Sequence, residues 1–421
     1  MSIHHLVRRA ILGVIALAAL LAATVVWLAQ QDSTDTRPAA PVTAQMLARG
    51  AALARAGNCI GCHTARGGPA YAGGRGIATP FGTVYAGNLT PDATGLGDWS
   101  VVDFRRALRH GRGRDGRLLV PAFPYTHFTR VSRDDMDALY AHLRQLPPVA
   151  QANPPQALRF PYNTQAALAV WRALYFRPGA YEPEPQRSAE WNRGAYLVNG
   201  LGHCSACHGS RSALGGSAAL DSGQGGAALP LQRWYAPSLA DPAEAGLQQW
   251  PTDEAVALLA TGQSRLGVAQ GPMAEVVAQS TQHLAPAELR AMVVYLQSLP
   301  APAAPPPPAN SPPRPPDLMA RGGELYRQHC VDCHGAQGQG APGIYPALAG
   351  NRGVLMANTS NLVQAITRGG FAPATAAHPR PYGMPPYDLP PADLAALLTW
   401  LRGSWGHQAP AVTEVEMLLA R

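Results

Sequence analysis

Residues 191–209, WNRGAYLVNGLGHCSACHG, contain a five-residue motif, C-x-x-C-H, that the chain uses three times. The motif stands at residues 59–63, 204–208 and 330–334 and takes up all six cysteines of the chain. These cysteines are Cys59, Cys62, Cys204, Cys207, Cys330 and Cys333. C-x-x-C-H is typical of covalent c-type haem attachment, in which the thiols bind the porphyrin and the histidine ligates the iron. The sequence therefore predicts three covalently bound haem c groups, with His63, His208 and His334 as axial ligands.

Three other interpretations of C-x-x-C compete with haem attachment: a zinc knuckle, a thioredoxin-like redox pair and a structural disulfide. A zinc site needs a second ligand pair at a short, characteristic distance, whereas the three motifs here lie far apart in sequence. A thioredoxin-like pair follows a strand in a βαβ unit, and no such pattern surrounds any copy. The threefold use of the entire cysteine content favours haem.

The charge balance gives weak evidence for any anionic partner. All 33 basic residues are arginine, against 26 acidic residues, for a net charge of +7 and a sequence pI near 9.3. Two propionates per haem would add about −6 if all are ionised, which largely cancels the excess. We therefore predict no nucleic-acid partner.

Each haem motif lies in a repeat of similar order. A helix with an Arg-Gly pair precedes each motif, at residues 49–50, 193–194 and 321–322, and an apolar-striped helix closes each repeat, at 134–146, 286–299 and 391–404. We call these the opening and closing helices and expect them to cross at the glycine. This order predicts an all-α chain of three tandem class I cytochrome c domains, at 43–150 (first repeat), 189–300 (second repeat) and 317–407 (third repeat), with a proline-rich linker at 301–316.

The N-terminus carries a 20-residue stretch without charge, residues 10–29, preceded by Arg8 and Arg9. This is long enough to span a bilayer, and the arginines place the N-terminal end on the cytoplasmic side. We therefore predict an uncleaved transmembrane anchor within residues 1–29, which puts the protein in the bacterial inner membrane with its haem domains facing the periplasm. A cleaved signal peptide is the competing interpretation.

Two methionines beside prolines are candidate second axial ligands. Met384 follows His334 by 50 residues and Met273 follows His208 by 65. Methionine ligation raises the reduction potential of a haem. The competing interpretation is that these methionines merely fill gaps in the core.

The first repeat has Phe123 where the third repeat has Met384. His127 lies 64 residues after His63, nearly the interval of the second repeat, so we predict bis-histidine ligation of the first haem. In the competing interpretation His127 is a surface residue and the first iron is open or otherwise ligated. Met136 is expected in the core.

An arginine cluster follows the first haem motif. It could be a solvated charged face or a docking patch for an acidic partner. Its members are Arg105, Arg106, Arg109, Arg112, Arg114 and Arg117.

The chain resembles the membrane-bound tri-haem cytochrome c subunits of periplasmic dehydrogenase complexes. The resemblance rests on EWNRGAYL at 190–197 leading into GHC at 202–204, STQHL at 280–284, NLTP at 88–91 and SWG at 404–406. It implies that Met273 and Met384 are iron ligands. The Phe-Pro-Tyr sequence at 123–125 departs from the Met-Pro-Tyr of members that serve quinoprotein or flavin enzymes. It is similar to the branch that accompanies molybdenum hydroxylases.

The resemblance implies an electron-transfer subunit and not a catalyst. It would pass electrons from a dehydrogenase with molybdopterin and [2Fe-2S] subunits to ubiquinone or the respiratory chain. The same role for a quinoprotein alcohol dehydrogenase or a flavin-dependent gluconate or sorbitol dehydrogenase is an alternative. A haem peroxidase with an open first haem, and a cytochrome shuttle without a fixed partner, are alternatives of other classes.

Overall fold

The computed structural model describes residues 35–229, 231–303 and 314–420, together with residues 5, 7–9, 11–13, 15, 16, 20 and 23–25. The chain divides into two compact units. Unit 1 comprises Met1–Ala51 and Cys62–Tyr181, and unit 2 comprises Ala52–Gly61 and Glu182–Arg421. The division falls within the first haem motif, so the first repeat contributes to both units, whereas the second and third repeats belong to unit 2.

Helices supply most of the regular structure. The helices of seven or more residues are Ala44–Ala56, Val101–His110, Arg133–Leu143, Gln165–Tyr175, Ala189–Asn199, Thr252–Thr261, Pro272–Gln279, Pro286–Gln297, Pro316–His329, Ser360–Arg368, Pro391–Leu401 and Glu414–Ala420. Short helices cover Cys59–Cys62, Tyr125–Phe128, Ser205–His208, Val331–His334 and Arg352–Leu355, and 3-10 turns cover Leu220–Ser222 and Thr281–His283.

The local sequence explains where several of these helices begin. Ser188 accepts a hydrogen bond from the backbone of Trp191 and so caps the opening helix of the second repeat. Ser132 caps the closing helix of the first repeat in the same way. The other two closing helices begin with Pro286 and Pro391, whose fixed φ suits the first helical position.

Three small antiparallel sheets add to the helices, which the all-α prediction did not include. Unit 1 has a three-stranded sheet, in which Gly76–Thr79 pairs with Gly82–Tyr85 and the latter with Ala157–Leu158. Unit 2 has two two-stranded sheets, which pair Ala227–Leu229 with Trp234–Ala236 and Gly370–Phe371 with Gly383–Met384.

The opening and closing helices of each repeat cross at the glycine of the Arg-Gly pair, as the sequence predicts. A Cβ added at Gly50 would overlap the carbonyl oxygen of Ala138. The same overlap occurs between Gly194 and Ala291. In the third repeat it occurs between Gly322 and the Ala396 carbonyl. Only glycine permits this approach of two helix backbones, so the crossing is fixed by one residue type in all three repeats.

An ion pair accompanies each crossing. The arginine before the glycine pairs with an acidic residue one turn before the contacted alanine of the closing helix. The three pairs are Arg49–Asp135, Arg193–Glu288 and Arg321–Asp393. Each acid lies in the first turn of its helix, where negative charge also interacts favourably with the helix dipole. We call the arginine, the glycine, the acid and the alanine together the crossing lock.

The core of the third repeat extends beyond its predicted end at residue 407. Leu394 and Leu398 of the closing helix are fully buried beside Met417, which lies in the C-terminal helix Glu414–Ala420. Val412 belongs to the same cluster. The guanidinium of Arg402 is buried and donates hydrogen bonds to the carbonyl oxygens of Val354 and Met356 at 3.0 and 2.6 Å. The segment after residue 407 therefore belongs to this core.

The predicted transmembrane anchor is wrong. Across residues 35–229, 231–303 and 314–420, and at the described positions before them, no helix is both long and apolar enough to cross a membrane. The remaining residues of 1–29 lie outside the described residues. The predicted location in the inner membrane rested on this anchor and is corrected with it.

The predicted linker lies largely outside the described residues. Of residues 301–316, the structure describes 301–303 and 314–316. The prediction of an extended spacer therefore stays a prediction.

Candidate haem-binding sites

Each C-x-x-C-H motif forms a short helix directly after its opening helix. In all three motifs the first cysteine is half-buried and the second is exposed, and none of the six forms a disulfide. Each pair of thiols thus lies on one short helical turn at the edge of the repeat, where both can reach one porphyrin. This arrangement fits thioether attachment of a porphyrin.

Each of the three motif histidines forms the same kind of hydrogen bond, from its Nδ1 atom to a backbone carbonyl oxygen. The Nδ1 atom of His63 lies 2.6 Å from the carbonyl oxygen of Gly87. His208 Nδ1 lies 2.6 Å from the Pro237 oxygen. His334 Nδ1 lies 2.9 Å from the Pro346 oxygen. A carbonyl oxygen can only accept, so Nδ1 carries the proton in each ring, and Nε2 presents its lone pair to a metal.

Burial favours the neutral form of these histidines. Desolvation lowers the pKa of His63, His208 and His334 below the ordinary value, while the carbonyl contact raises it to a smaller extent. A neutral imidazole is the form that ligates iron. The proton position and the charge state therefore both suit an axial ligand.

Side chains next to the accepting carbonyls hold those carbonyls in place. Asn88 is buried directly after Gly87, and its amide accepts from the backbone of Thr90 at 2.9 Å and donates to the Val149 oxygen at 2.8 Å. In the second repeat, Ser238 is buried directly after Pro237, and its hydroxyl accepts from backbone N–H groups two and three residues ahead. Sequence reasoning missed these supports as parts of the site, although the N-x-T-P pattern after Gly87 was a visible signal.

The two candidate methionine ligands lie on different kinds of element. Met273 is the second residue of the helix Pro272–Gln279 and is half-buried. Met384 ends the strand Gly383–Met384, pairs with Gly370 and packs against the core of the third repeat, as does the motif cysteine Cys330. Met384 and Cys330 thus pack against the same apolar core, and ligation by Met273 and Met384 stays a prediction.

The candidate ligand of the first repeat lies on the short helix Tyr125–Phe128. The Nδ1 atom of His127 lies 3.1 Å from the hydroxyl of Thr126, and His127 is half-buried. Tyr125 anchors this helix, since its ring packs at 5.0 Å from the Phe176 ring and 6.2 Å from the Trp171 ring. Phe123 contacts the Phe128 ring instead of offering a ligand atom. Met136 is buried in the closing helix, as predicted. Ligation by His127 stays a prediction.

The arginine cluster of the first repeat is largely structural. Arg105 is 4% exposed and forms a two-pronged ion pair with Asp137, at 2.6 and 2.7 Å. Arg109 donates to the carbonyl oxygens of Thr129 and Val131. Arg112 donates to the Gly116 carbonyl at 2.7 Å. These three side chains tie loops together. Arg114 and Arg117 are exposed, and for these two the solvated face and the docking patch both stay predictions.

Metal sites of other kinds gain no support. Among the residues that the structure describes, no group of three or more His, Cys, Asp or Glu side chains could hold a metal ion. The zinc interpretation of the motifs would have required such a group.

The helix crossing, the motif helix and the carbonyl-bonded histidine together define a c-type cytochrome. Comparison with known families agrees, because the family described as cytochrome c matches residues 47–147, 192–300 and 319–405. The chain therefore belongs to the cytochrome c family, whose members bind haem c covalently.

Curated relatives are dehydrogenase subunits and related cytochromes. The chain is 41% identical to a nicotinate dehydrogenase subunit of Pseudomonas putida, over 85% of this chain and 30% of that protein. It is 36% identical to the cytochrome c subunit of the quinone alcohol dehydrogenase of Gluconacetobacter polyoxogenes, over 87% of this chain and 81% of that protein. A diheme c-type cytochrome of Cereibacter sphaeroides is 34% identical, over 70% of this chain and 99% of that protein.

These relatives differ in how much of their own length the chain covers. The chain spans about a third of the nicotinate dehydrogenase subunit but four fifths of the alcohol dehydrogenase subunit. The family membership and the names of the relatives are consistent with an electron-transfer subunit of a dehydrogenase complex and not with a catalytic subunit.

Proposed function

We propose that the chain is a tri-haem electron-transfer subunit that accepts electrons from a dehydrogenase and passes them to ubiquinone or the respiratory chain. The observation that carries the proposal is the hydrogen bond from Nδ1 of a motif histidine to a backbone carbonyl, which occurs with the same geometry in His63, His208 and His334. Haem c held in such sites supplies one-electron iron couples whose potentials depend on the second axial ligand.

The chain's own residues would divide the work of holding three haems. The six cysteines attach the porphyrins, in the three domains proposed at 43–150, 189–300 and 317–407. The proposed axial pairs are His63 with His127, His208 with Met273, and His334 with Met384. Because methionine ligation raises the potential, the first site would have the lowest potential of the three, other things being equal.

The proposed electron donor is a dehydrogenase with molybdopterin and [2Fe-2S] subunits. Two observations support this choice over a quinoprotein or flavoprotein donor. Phe123 replaces the methionine that is usual with those donors, and its ring packs on Phe128. Identity is also higher with the nicotinate dehydrogenase subunit, at 41%, than with the alcohol, gluconate and fructose dehydrogenase subunits, at 34–36%.

The haem count is tested by the intact mass of the holoprotein and by the alkaline pyridine spectrum. We expect three haems per chain in the wild type. The double variants C59S/C62S, C204S/C207S and C330S/C333S should each retain two. A wild-type protein with only two haems would refute the proposal of three sites.

The donor is tested by isolating the native subunit and identifying the proteins that remain bound. Co-isolated molybdopterin and iron–sulfur subunits are the expected result. A quinoprotein or flavoprotein partner would refute the proposed donor while leaving the electron-transfer role intact. Ready binding of CO to the reduced wild type would instead indicate an open iron and favour a peroxidase-like first site.

A further inference from the structure

The second repeat holds a loop of the third repeat by the side chain of Gln282. The Nε2 atom of Gln282 donates to the carbonyl oxygen of Ala374 at 3.0 Å, and its Oε1 atom accepts from the backbone N–H of Ala376 at 3.1 Å. The Gln282 amide thus bonds one backbone C=O and one backbone N–H of the same loop, as the backbone of a neighbouring β-strand would. Both repeats lie in unit 2.

That loop carries the candidate ligand Met384 at its far end. Residues 372–382 connect the strands Gly370–Phe371 and Gly383–Met384, which pair directly with each other. We call residues 370–384 the ligand hairpin. The two strands are only two residues long, so the loop adds to the support that Met384 receives from the core of the third repeat.

The loop has few other anchors on its N-terminal side. From residue 374 to residue 380 only Thr375 is buried, and its backbone bonds are to His378 within the loop. Pro373 packs against Gly262 of the second repeat so closely that a Cβ at Gly262 would overlap its ring. The second repeat is therefore a principal support of this part of the hairpin.

Gln282 is itself fixed to the element that bears Met273. It lies in the turn Thr281–His283, which follows the helix Pro272–Gln279, and its Nε2 atom also donates to the Ala278 oxygen at 2.6 Å. The helix with Met273 and the hairpin with Met384 are thus connected through a single side chain.

We propose that Gln282 is a positioning residue that holds the ligand hairpin and so keeps Met384 at its place in the third site. The inference rests on the proposed function, since it takes Met384 as an iron ligand. The role of Gln282 is to limit opening of the hairpin, and it acts through the loop backbone and not on the iron.

A second amide contact between the same repeats supplies a matched control. Asn361 of the third repeat accepts from the backbone N–H of Tyr235 and donates to the Tyr235 oxygen, both at 2.8 Å. This contact also uses one amide and two backbone groups, but it does not touch the ligand hairpin. We expect loss of the Asn361 contact to weaken the packing of the second repeat against the third about as much as loss of the Gln282 contact does.

The test uses the full-length holoprotein. In the reduced state, proton NMR resolves the methyl groups of iron-bound methionines, and the M273A and M384A variants assign one signal to each. The rate at which imidazole displaces the ligand assigned to Met384 is then measured in the oxidised state. We expect Q282A to shift or broaden the Met384 signal and to speed displacement about tenfold, as the loss of two hydrogen bonds suggests.

The controls separate this inference from the function on which it rests. N361A should leave the Met384 signal and the displacement rate unchanged, and Q282E, which keeps only the acceptor for Ala376, should be intermediate. An unchanged signal and rate in Q282A, or equal changes in Q282A and N361A, would overturn the positioning role. If M384A removes no signal, the ligand assignment itself is wrong.

Discussion

In the first and second repeats, a buried polar side chain follows the backbone carbonyl that orients the motif histidine. Asn88 is 3% exposed and closes the turn that begins at Gly87 by bonding to Thr90 and Val149. Asn153 shares this task, since its side-chain oxygen accepts from the backbone N–H of Asn88 at 2.6 Å. Side chains that lie outside the ligand set therefore help to fix the carbonyl that orients His63.

We predict that N88A destabilises the holoprotein by about 2 kcal/mol, because buried backbone groups lose their partners. The change should also alter the EPR signal of the first haem alone. Chemical denaturation and EPR measure the two effects. The exposed Asn163 of the same unit is the control, and N163A should change neither quantity. Equal destabilisation by the two variants would contradict this account.

A second prediction at the residue scale concerns pH. The hydrogen bond from Arg321 lowers the pKa of Asp393 below its ordinary value of 3.8. Because the folded-state pKa is depressed, the pair contributes stability above pH 3.8, and this contribution is lost as pH falls through the folded pKa. D393N should therefore lower Tm at neutral pH but flatten the fall in Tm as the pH drops below 3.8. If the plots of Tm against pH are parallel for D393N and the wild type, the Arg321–Asp393 ion pair does not contribute to the pH dependence of stability.

Pairs of helices at the crossing lock are the main repeated element of the fold. The contact is between backbones, since Gly50 faces the carbonyl of Ala138 and the Cβ atom of His142. The histidine occupies the place that Tyr295 and Trp400 hold opposite Gly194 and Gly322. These larger side chains close the space beside the glycine.

We predict that G50A destabilises the protein by about 1–3 kcal/mol, because the added methyl group forces the two helices apart. Gly179 is the control, since it has an ordinary φ and open space around its Cα, and G179A should be neutral or slightly stabilising. Thermal unfolding of the two holoprotein variants measures the difference. A G50A variant as stable as G179A would mean that the helices separate without cost.

The sequence predicts these helix pairs well because the residues that mark each helix lie within that helix and recur in all three repeats. The Arg-Gly pairs and the apolar stripes mark the opening and closing helices, whose observed ends differ by at most a few residues from the prediction. The carbonyl acceptors were missed because a backbone group has no residue signature and lies 24, 29 or 12 residues after its histidine. The helix Glu414–Ala420 was missed because Met417 is the one buried residue within 414–419, and the anchor was predicted from an uncharged stretch and the arginines before it.

At the scale of the whole molecule, haem attachment changes the net charge. The chain alone has a net charge of +7 and a pI near 9.3. Three haems with about two ionised propionates each contribute about −6, which leaves about +1, whereas two haems would leave about +3. The number of haems is thus visible in the charge of the holoprotein.

We predict that the holoprotein focuses roughly one pH unit or more below the haem-free chain, because the propionates neutralise most of the arginine excess. Isoelectric focusing of both forms measures this difference. The C330S/C333S variant should focus between them. A holoprotein that focuses near 9.3 would mean that the propionates are not ionised or that fewer haems are present.

The crossing lock has a consequence for how such chains change over generations. Each lock needs four residues, two of which form an ion pair while the other two bring the helix backbones into contact, and all four lie in the same repeat. A gene duplication or deletion that respects the repeat ends therefore adds or removes a complete helix pair without disturbing the helix pairs of the neighbouring repeats. Such a chain can gain or lose one haem site with each repeat, while the packing of the helices inside each remaining repeat stays the same.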